Sequence, residues 1–250
     1  MTNILLCGCS GRMGAVVSDM AAADDNVKIV CGVDVLGEAS GAYPAYETLG
    51  DCKEDADVVV DFSNPAVFDE LLAFCVDRKM PLVICTTGLS EDQLAAIDKA
   101  AEKIAILRSA NMSVGINVII KLLRQIAPYM SEAGYDIEIV EKHHNQKIDA
   151  PSGTAIMLAN AINETLDNSK HYVYDRHSRR QKREKSEIGM HSIRGGTIVG
   201  EHEVIFAGHD EVITLSHSAA SKTVFAAGAV NAAVFLKDKP AGLYDMSQLV

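Results

Sequence analysis

Fourteen consecutive residues in the middle of the chain combine groups for proton transfer, positive charge and anion binding. Residues 141–154 have the sequence EKHHNQKIDAPSGT. His143 and His144 can each give or take a proton near neutral pH, because the unperturbed pKa of histidine is about 6.5. Lys147 offers a compact ammonium with three donors to an anion or to a developing negative charge. This combination suits a small carboxylate substrate that reacts with the help of an acid.

The end of the same segment predicts a helix N-terminus. Asp149 followed by Pro151 is typical of a helix start, since proline is tolerated at the first helical position. Ser152, Gly153 and Thr154 then bring backbone N–H groups and hydroxyls to that terminus. Such a terminus is an anion-binding site, so we expect these three residues to contact substrate.

Length, composition and charge narrow the class of protein. The 250 residues, 48% hydrophobic and 23% charged, are ordinary for a globular protein with one large or two modest domains. A net charge of −11 argues against nucleic-acid and anionic-membrane partners, since phosphate binding needs clustered Lys and Arg. The basic stretch 176–185 is an exception that we interpret as a solvated loop; a weaker hypothesis is that it adds positive field near an anionic substrate.

The sequence also indicates in which cellular compartment the protein works. No apolar run approaches the roughly 20 residues of a membrane span. The first residues lead directly into an apolar stretch, without the basic segment of a signal peptide. We therefore expect a cytoplasmic protein.

The cysteines and histidines are distributed unevenly. The six cysteines, at positions 7, 9, 31, 52, 75 and 85, form no C-x-x-C pair, so we expect buried apolar thiols in a reducing compartment and no metal centre. All eight histidines follow residue 142. This division is a first indication of two domains with different roles.

The N-terminal residues predict a dinucleotide-binding unit. A buried strand over 3–8 leads into glycines at 8, 11 and 14, and then into a helix with apolar residues at 13, 16, 17 and 20. The second strand ends at Asp34, 20 residues after Gly14, where an acid can bind the adenosine ribose. No arginine follows Asp34, so we expect NADH to serve at least as well as NADPH, unless Arg12 supplies the charge for a 2′-phosphate.

Strands and helices continue to alternate through the first 112 residues. Strands are predicted over 57–62, 81–85 and 104–107, and helices over 65–79 and 90–103. This pattern predicts a Rossmann-type, doubly wound parallel sheet, in which ligands bind beyond the carboxyl ends of the strands. Those ends are Gly8, Asp34, Phe62-Ser63, Cys85 to Gly88 and Ser109 to Met112.

The pattern changes after a helix that ends near residue 130. Strands are predicted over 135–139, 188–194, 198–207 and 211–217, with a helix following residue 152 and an Ala-rich helix over 221–236. We expect an α/β protein with residues 1–112, completed by 222–250, as the dinucleotide-binding domain. Residues 113–221 would form an α+β domain on an open mixed or antiparallel sheet. We interpret His202, His209 and His217 as structural sheet residues.

Together these motifs resemble those of the dihydrodipicolinate reductase family, whose members are also called 4-hydroxy-tetrahydrodipicolinate reductases. The resemblance runs nearly end to end. It is carried by GCSGRMG at 8–14, DFS at 61–63, TTG at 86–88, ANMSVG at 110–115, RGG at 194–196, GEH at 200–202 and FAAGA at 225–229. The most specific motif is H-H-x-x-K-x-D-A-P-S-G-T-A at 143–155.

The resemblance implies an NAD(P)H-dependent reduction of a cyclic dicarboxylate in the diaminopimelate route to lysine, performed by a homotetramer built through the second domain's sheet. His143 would be the general acid and Lys147 the second proton donor. His144, Ser152, Gly153 and Thr154 would hold substrate carboxylates. The implied cofactor contacts are Gly8, Cys9, Ser10, Gly11, Arg12, Met13, Asp34, Cys85, Thr86, Thr87, Ser109, Ala110, Asn111 and Met112.

Three positions depart from the family pattern, and two other functions stay open. Cys85 stands where glycine is common, Val35 where some relatives carry arginine, and Lys222 where arginine is frequent. An NAD-dependent amino-acid dehydrogenase would share the first domain but lack the full 143–154 motif. A non-catalytic nicotinamide sensor would need neither His143 nor Lys147.

Overall fold

The computed structural model describes all 250 residues, which form two compact units. The first unit comprises Met1–Val114 and Thr223–Val250, and the second comprises Gly115–Lys222. None of the helices combines the length and the apolar character that a membrane span requires.

Seven parallel strands form the sheet of the first unit. They are β1 (Thr2–Cys7), β2 (Val27–Val33), β3 (Ala45–Tyr46), β4 (Val58–Asp61), β5 (Leu82–Ile84), β6 (Ala105–Arg108) and β12 (Gly242–Tyr244). Their order is β12-β6-β5-β4-β1-β2-β3. Because β1 pairs with β2 on one side and β4 on the other, the chain changes direction across the sheet at β1, which is where such sheets bind ligands.

Helices cover both faces of this sheet, which confirms the predicted doubly wound architecture. The helices are α1 (Arg12–Ala22), α2 (Phe68–Arg78), α3 (Glu91–Ala101) and α6 (Thr223–Leu236). One hydrophobic cluster joins α1 and α6 to alternate strand residues such as Ile4 and Leu6, and a second joins α2 and α3 to Leu5 and Cys7. A capping box begins α3, with Ser90 and Gln93 each accepting a backbone N–H of the other.

The second unit is a five-stranded mixed sheet with helices on one face. The strands are β7 (Asp136–His143), β8 (His171–Val173), β9 (Glu187–Arg194), β10 (Gly200–Ala207) and β11 (Val212–Ala219), in the order β11-β10-β7-β9-β8. The strand β9 runs parallel to β7 and β8, whereas β10 runs antiparallel to β7 and β11. The helices α4 (Val114–Glu132) and α5 (Gly153–Glu164) share the hydrophobic cluster of this sheet.

The structure corrects several local predictions. The sequence indicated helix starts at Asp149–Pro151 and after Ser152; the second is confirmed, since α5 begins at Gly153 with Ser152 as the N-cap, whose hydroxyl accepts the N–H of Ala155. His209 lies in the loop between β10 and β11 and is almost fully exposed, so its interpretation as a sheet residue is wrong. The short strands β3, β8 and β12 were not predicted.

The basic stretch 176–185 is less solvated than expected. Arg176 donates to Glu138 and Glu187 at 2.8 and 2.7 Å. Arg183 donates to Glu138 and Asp136 at 2.9 and 3.0 Å. These two arginines therefore neutralise acidic strand residues of the same unit instead of forming a free cationic patch.

Candidate functional site

The first unit carries a candidate site at the turn between β1 and α1. Gly8 has a φ of +78°, and a Cβ there would lie 2.5 Å from the carbonyl oxygen of Phe62. At Gly14, a Cβ would lie 2.3 Å from the carbonyl oxygen of Gly8. Glycine is therefore required at both positions, by a left-handed backbone at the first and by close packing of α1 at the second.

The first turn of α1 presents backbone donors at this point. Its N-cap residue, Gly11, has no side chain to satisfy the N–H groups of that turn. No acidic side chain occupies the turn either. A helix start of this kind fits a pyrophosphate, since the uncapped N–H groups and the helix dipole both favour an anion.

A cavity of about 260 Å³ opens beside this turn. Its walls include Gly8, Gly11 and Asp34, all anticipated from the sequence, and Glu47 and Glu70, which were not. Asp34 accepts the backbone N–H of Ser10 at 3.3 Å, so its carboxylate faces the glycine turn. Three carboxylates around one cavity disfavour an additional phosphate group in it.

Buried Asp61 shapes another wall of the same cavity. It is 0% exposed, and its Oδ1 accepts the backbone N–H and the hydroxyl of Ser63 at 2.9 and 2.5 Å. Burial raises the pKa of Asp61, and the hydrogen bonds from Ser63 oppose that rise. The effect is to fix the turn after β4, where Phe62 and Ser63 line the cavity.

The other predicted cofactor residues are divided between the core and the surface. Cys9 and Met112 are buried in the cluster of α1 and α6, so only their backbone is available to a ligand. Arg12 is exposed at the start of α1 and Met13 packs against the core. The remaining predicted contacts lie just beyond the carboxyl ends of β5 and β6 and outside the cavity: Cys85, Thr86, Thr87, Ser109, Ala110 and Asn111.

In the second unit, the site is built around His143, the last residue of β7. Its Nδ1 lies 2.5 Å from Oε2 of Glu141, which is 1% exposed. Arg194 of β9 donates to both oxygens of Glu141 at 2.8 Å each, and Ser152 donates its backbone N–H to Oε1 at 3.2 Å. The parallel register sets His143 opposite Arg194 and so brings these groups together.

The charges in this group influence one another. Burial alone would raise the pKa of Glu141, but hydrogen bonds from Arg194, Ser192 and His143 outweigh it and lower the pKa to about 2. Burial lowers the pKa of His143; Glu141 opposes this, while Lys147 and Arg194 reinforce it. Glu141 is therefore an ion at neutral pH, and His143 is easily deprotonated.

His202 belongs to the same group, although the sequence suggested only a structural role. Its Nε2 lies 3.0 Å from the hydroxyl of Ser152, and its ring meets that of His143 edge to face. Burial, and to a smaller extent the charge of the nearby His143, lowers the pKa of His202 to about 4. His202 is therefore a neutral imidazole that packs behind His143.

The loop after β7 supplies the cation and the anion-binding terminus. Lys147 forms an ion pair with Asp149 at 2.8 Å, and its side chain is 21% exposed. Gly153, the first residue of α5, is exposed, and a Cβ there would meet no atom within 4 Å. His144 and Thr154 are half-buried on either side of this loop. The loop thus offers positive charge and an approachable helix start within eleven residues of His143.

One cluster of side chains of the kind that bind metal ions lies outside the residues described so far. The thiols of Cys31 and Cys52 and a carboxylate oxygen of Glu54 lie within 4.8 Å of one another, and both cysteines are buried. As expected, five of the six cysteines are buried, and Cys85 is the half-buried exception.

Comparison with known proteins gives matches over nearly the whole chain. The family model described as dihydrodipicolinate reductase, N-terminus, matches residues 2–112, and that described as dihydrodipicolinate reductase, C-terminus, matches residues 115–250. The 4-hydroxy-tetrahydrodipicolinate reductase of Caldanaerobacter subterraneus subsp. tengcongensis is 50% identical over 250 residues, which cover 100% of this chain and 98% of the relative. That of Clostridium tetani is 46% identical over 98% of this chain and 96% of the relative.

A solved structure resembles the whole chain in fold. It is the dipicolinate-bound dihydrodipicolinate reductase of a Paenisporosarcina species, which matches with a TM-score of 0.78 and 23% identity over 100% of both chains. This likeness confirms the predicted fold class.

Proposed function

Because the chain belongs to the dihydrodipicolinate reductase family, we propose that it reduces 4-hydroxy-tetrahydrodipicolinate to tetrahydrodipicolinate with NADH or NADPH, in the diaminopimelate route to lysine. The observation that carries this proposal is the arrangement of His143, Lys147 and the start of α5 around one loop. A doubly anionic ring needs compensating charge and a proton donor, and this loop offers both in a chain of net charge −11. The family membership agrees with the resemblance recognised from the sequence motifs.

The cofactor would bind along the carboxyl edge of the parallel sheet. The uncapped start of α1 fits the pyrophosphate, and Asp34 fits the adenosine ribose. Glu47 and Glu70 in the same cavity add negative charge that a 2′-phosphate would have to overcome. We therefore expect NADH to be preferred over NADPH. The loops 85–87 and 109–112 would hold the rest of the cofactor, largely through backbone groups.

The substrate carboxylates would be held by the second unit. Lys147 and His144 would supply donors to one side of the ring, while Ser152, Gly153 and Thr154 would present the start of α5 to a carboxylate. Ser152 already uses its hydroxyl as the N-cap of α5, so its contribution would come chiefly through the geometry of that turn. This division leaves His143 available for proton transfer.

The chemistry follows from these placements. Loss of the substrate's 4-hydroxyl group as water, with a proton from the adjacent ring carbon, would give a conjugated imine, to which the nicotinamide, when bound, would supply hydride. Hydride addition leaves negative charge on the ring, and His143 would neutralise it by giving up a proton, with Lys147 as the second donor. Lys147 would also stabilise the charge electrostatically while the proton moves.

We further propose a homotetramer assembled through the uncovered face of the five-stranded sheet. That face carries apolar residues that are exposed in the single chain, including Ile193 at 47% and Val212 at 63%. Such residues on an open sheet face are typical of an interface. Sedimentation analysis would give the mass of the assembly; a monomer at micromolar concentration would overturn this part of the proposal.

A coupled assay tests the reaction itself. The preceding synthase would generate the unstable substrate from pyruvate and aspartate semialdehyde, and oxidation of NADH would be followed after this protein is added. Oxidation should require both precursors and the synthase. Absence of oxidation with either NADH or NADPH, in protein shown to be folded, would contradict the assignment.

A further inference from the structure

Proton transfer from His143 depends on which ring nitrogen carries the proton in the neutral state, and the surroundings of Glu141 bear on this. We propose that Glu141, clamped by Arg194, is a positioning residue that keeps a proton on Nδ1 of His143 and so makes Nε2 the nitrogen that exchanges a proton with substrate. This inference rests on the proposed function of His143 as the acid.

The first step is the ionisation state of Glu141. Its Oε1 is approached by Nη2 of Arg194 and the backbone N–H of Ser152, and its Oε2 by Nη1 of Arg194 and Nδ1 of His143. A guanidinium and a backbone N–H can only donate. A carboxylate with three such donors has no need of its own proton, so the hydrogen between Oε2 and Nδ1 belongs to the histidine.

The second step is access to the other nitrogen. With Nδ1 bound to Glu141, only Nε2 remains to meet a substrate. A Cβ built at Gly200 would lie 3.1 Å from that nitrogen and 3.5 Å from the adjacent ring carbon. Glycine at position 200 therefore leaves room beside Nε2 that a side chain would occupy.

The third step is acid strength. Neutral His143 with its proton on Nδ1 presents a lone pair at Nε2, so it must first become an imidazolium to act as an acid. Burial disfavours that cation and is the main reason that the pKa of His143 is lowered, Glu141 stabilises the cation through its hydrogen bond and charge, and the positive charges of Lys147 and Arg194 oppose it. Two other groups face the ring of His143: Lys147 from the loop and His202 from β10. Asp149 in turn faces Lys147 and Arg194, and His217 of β11 faces His202. The imidazolium is thus oriented firmly yet holds its proton loosely.

The proposed transfer moves one proton from His143 to the substrate ring. The Nε2–H bond of the imidazolium breaks, and its electron pair stays on Nε2. The proton forms a bond to the ring position that gained an electron pair from hydride addition. His143 returns to the neutral form with Nδ1–H still bound to Glu141, and a proton from water restores the imidazolium.

The pH dependence of activity distinguishes the positioning role of Glu141 from a merely structural one, because variants of Glu141 and of Arg194 should shift it in opposite directions. Activity that needs protonated His143 falls as pH rises through its pKa. Glu141→Gln should move that fall to lower pH, because the cation loses its carboxylate, and should cut kcat by about 10–100-fold with a smaller change in KM. Arg194→Gln should move the fall to higher pH, because the carboxylate is no longer offset. Glu164→Gln, which removes the exposed partner of Arg124 at the far end of α5, is the matched control and should leave the profile unchanged.

A measurement on the unaltered protein covers the case in which a variant fails to fold. Nitrogen-15 NMR of histidine-labelled protein, assigned with His143→Gln, should show a protonated Nδ1 and an unprotonated Nε2 for neutral His143. Protonation at Nε2 instead, or shifts of the two pH profiles in the same direction, would overturn the proposal. Absence of reductase activity in the wild type would reject the proposed function alone, since the NMR result would still report on Glu141 and His143.

Discussion

The imidazole of His202 meets that of His143 edge to face, with ring centroids 5.1 Å apart and planes inclined at 73°. The contact puts a second, deeply buried histidine directly behind the proposed acid. Two charged imidazoles this close would repel each other, and burial already disfavours charge on His202. The pair is therefore stable only while His202 is neutral.

Acid should destabilise the protein through His202. Its pKa is lowered to about 4 in the folded state, against about 6.5 when unfolded, so the unfolded state binds the additional proton between these values. The contribution of neutral His202 to the free energy of unfolding is fully present above about pH 6.5, the unfolded pKa. It is lost as pH falls from about 6.5 to about 4, and the loss is at most roughly 3 kcal/mol. Urea unfolding at a series of pH values should show a shallower loss for His202→Gln. The exposed His209→Gln is the control, and an equal slope in all three proteins would contradict the prediction.

Replacement of either proposed proton donor should lower turnover without releasing the cofactor. His143→Gln and Lys147→Ala should each reduce kcat by about 10²–10⁴-fold, because general acid catalysis contributes factors of this size. The affinity for NADH, measured by fluorescence titration, should barely change, since the proposed cofactor residues belong to the other unit. His209→Gln and Lys182→Ala, both exposed, are the matched controls. Near-normal turnover of both principal variants would remove these residues from the mechanism.

The coenzyme preference should depend on Asp34. A carboxylate that binds ribose hydroxyls repels a 2′-phosphate, so the wild type should have a higher kcat/KM with NADH than with NADPH. Asp34→Ser should lower kcat/KM for NADH by about 10–100-fold, as expected for loss of hydrogen bonds to a charged group, and should narrow the difference between the coenzymes. Steady-state assays with both coenzymes measure this, with exposed Asp98→Asn on α3 as the control. A marked wild-type preference for NADPH would refute the role given to Asp34.

The sequence was most informative where local pattern and local structure coincide. Glycine spacing and short continuous apolar runs located the turn at Gly8 and the alternating elements of the first unit. Asp149 and Pro151 suggested an earlier start for α5 than the one after Ser152, and the later start is the observed one because the hydroxyl of Ser152 reaches the N–H of Ala155. The strands β3, β8 and β12 have only two or three residues, too few to show a periodicity.

The sequence could not show which side chains strand pairing brings together. Glu141 and Arg194 are 53 residues apart and meet only because β7 and β9 pair in parallel. One signal was available: Glu141 falls on the same side of β7 as Ile137 and Ile139, so it is a charged residue on an apolar face. A buried charge of that kind requires a partner, although the sequence did not indicate which one.

Gly228, in the Ala-rich helix α6, offers a test of packing in the first unit. Helix propensity alone would favour Gly228→Ala by about 1 kcal/mol. A Cβ there would, however, lie 1.7 Å from the carbonyl oxygen of Met112 and 2.7 Å from its carbonyl carbon, and backbone atoms cannot move aside as a flexible side chain can. We expect the overlap to dominate and the free energy of unfolding to fall by about 1–3 kcal/mol.

Chemical denaturation of Gly228→Ala beside Gly50→Ala would check this expectation. The nearest atom to a Cβ at Gly50 is the hydroxyl oxygen of Thr48 at 3.9 Å, so alanine fits there and stability should stay within about 0.5 kcal/mol of wild type. The carbonyl of Met112 ends the loop 109–112 that we assign to the cofactor, so displacement of this residue should also weaken NADH binding. A Gly228→Ala variant as stable as the wild type would show that α6 can shift away from Met112 at no cost.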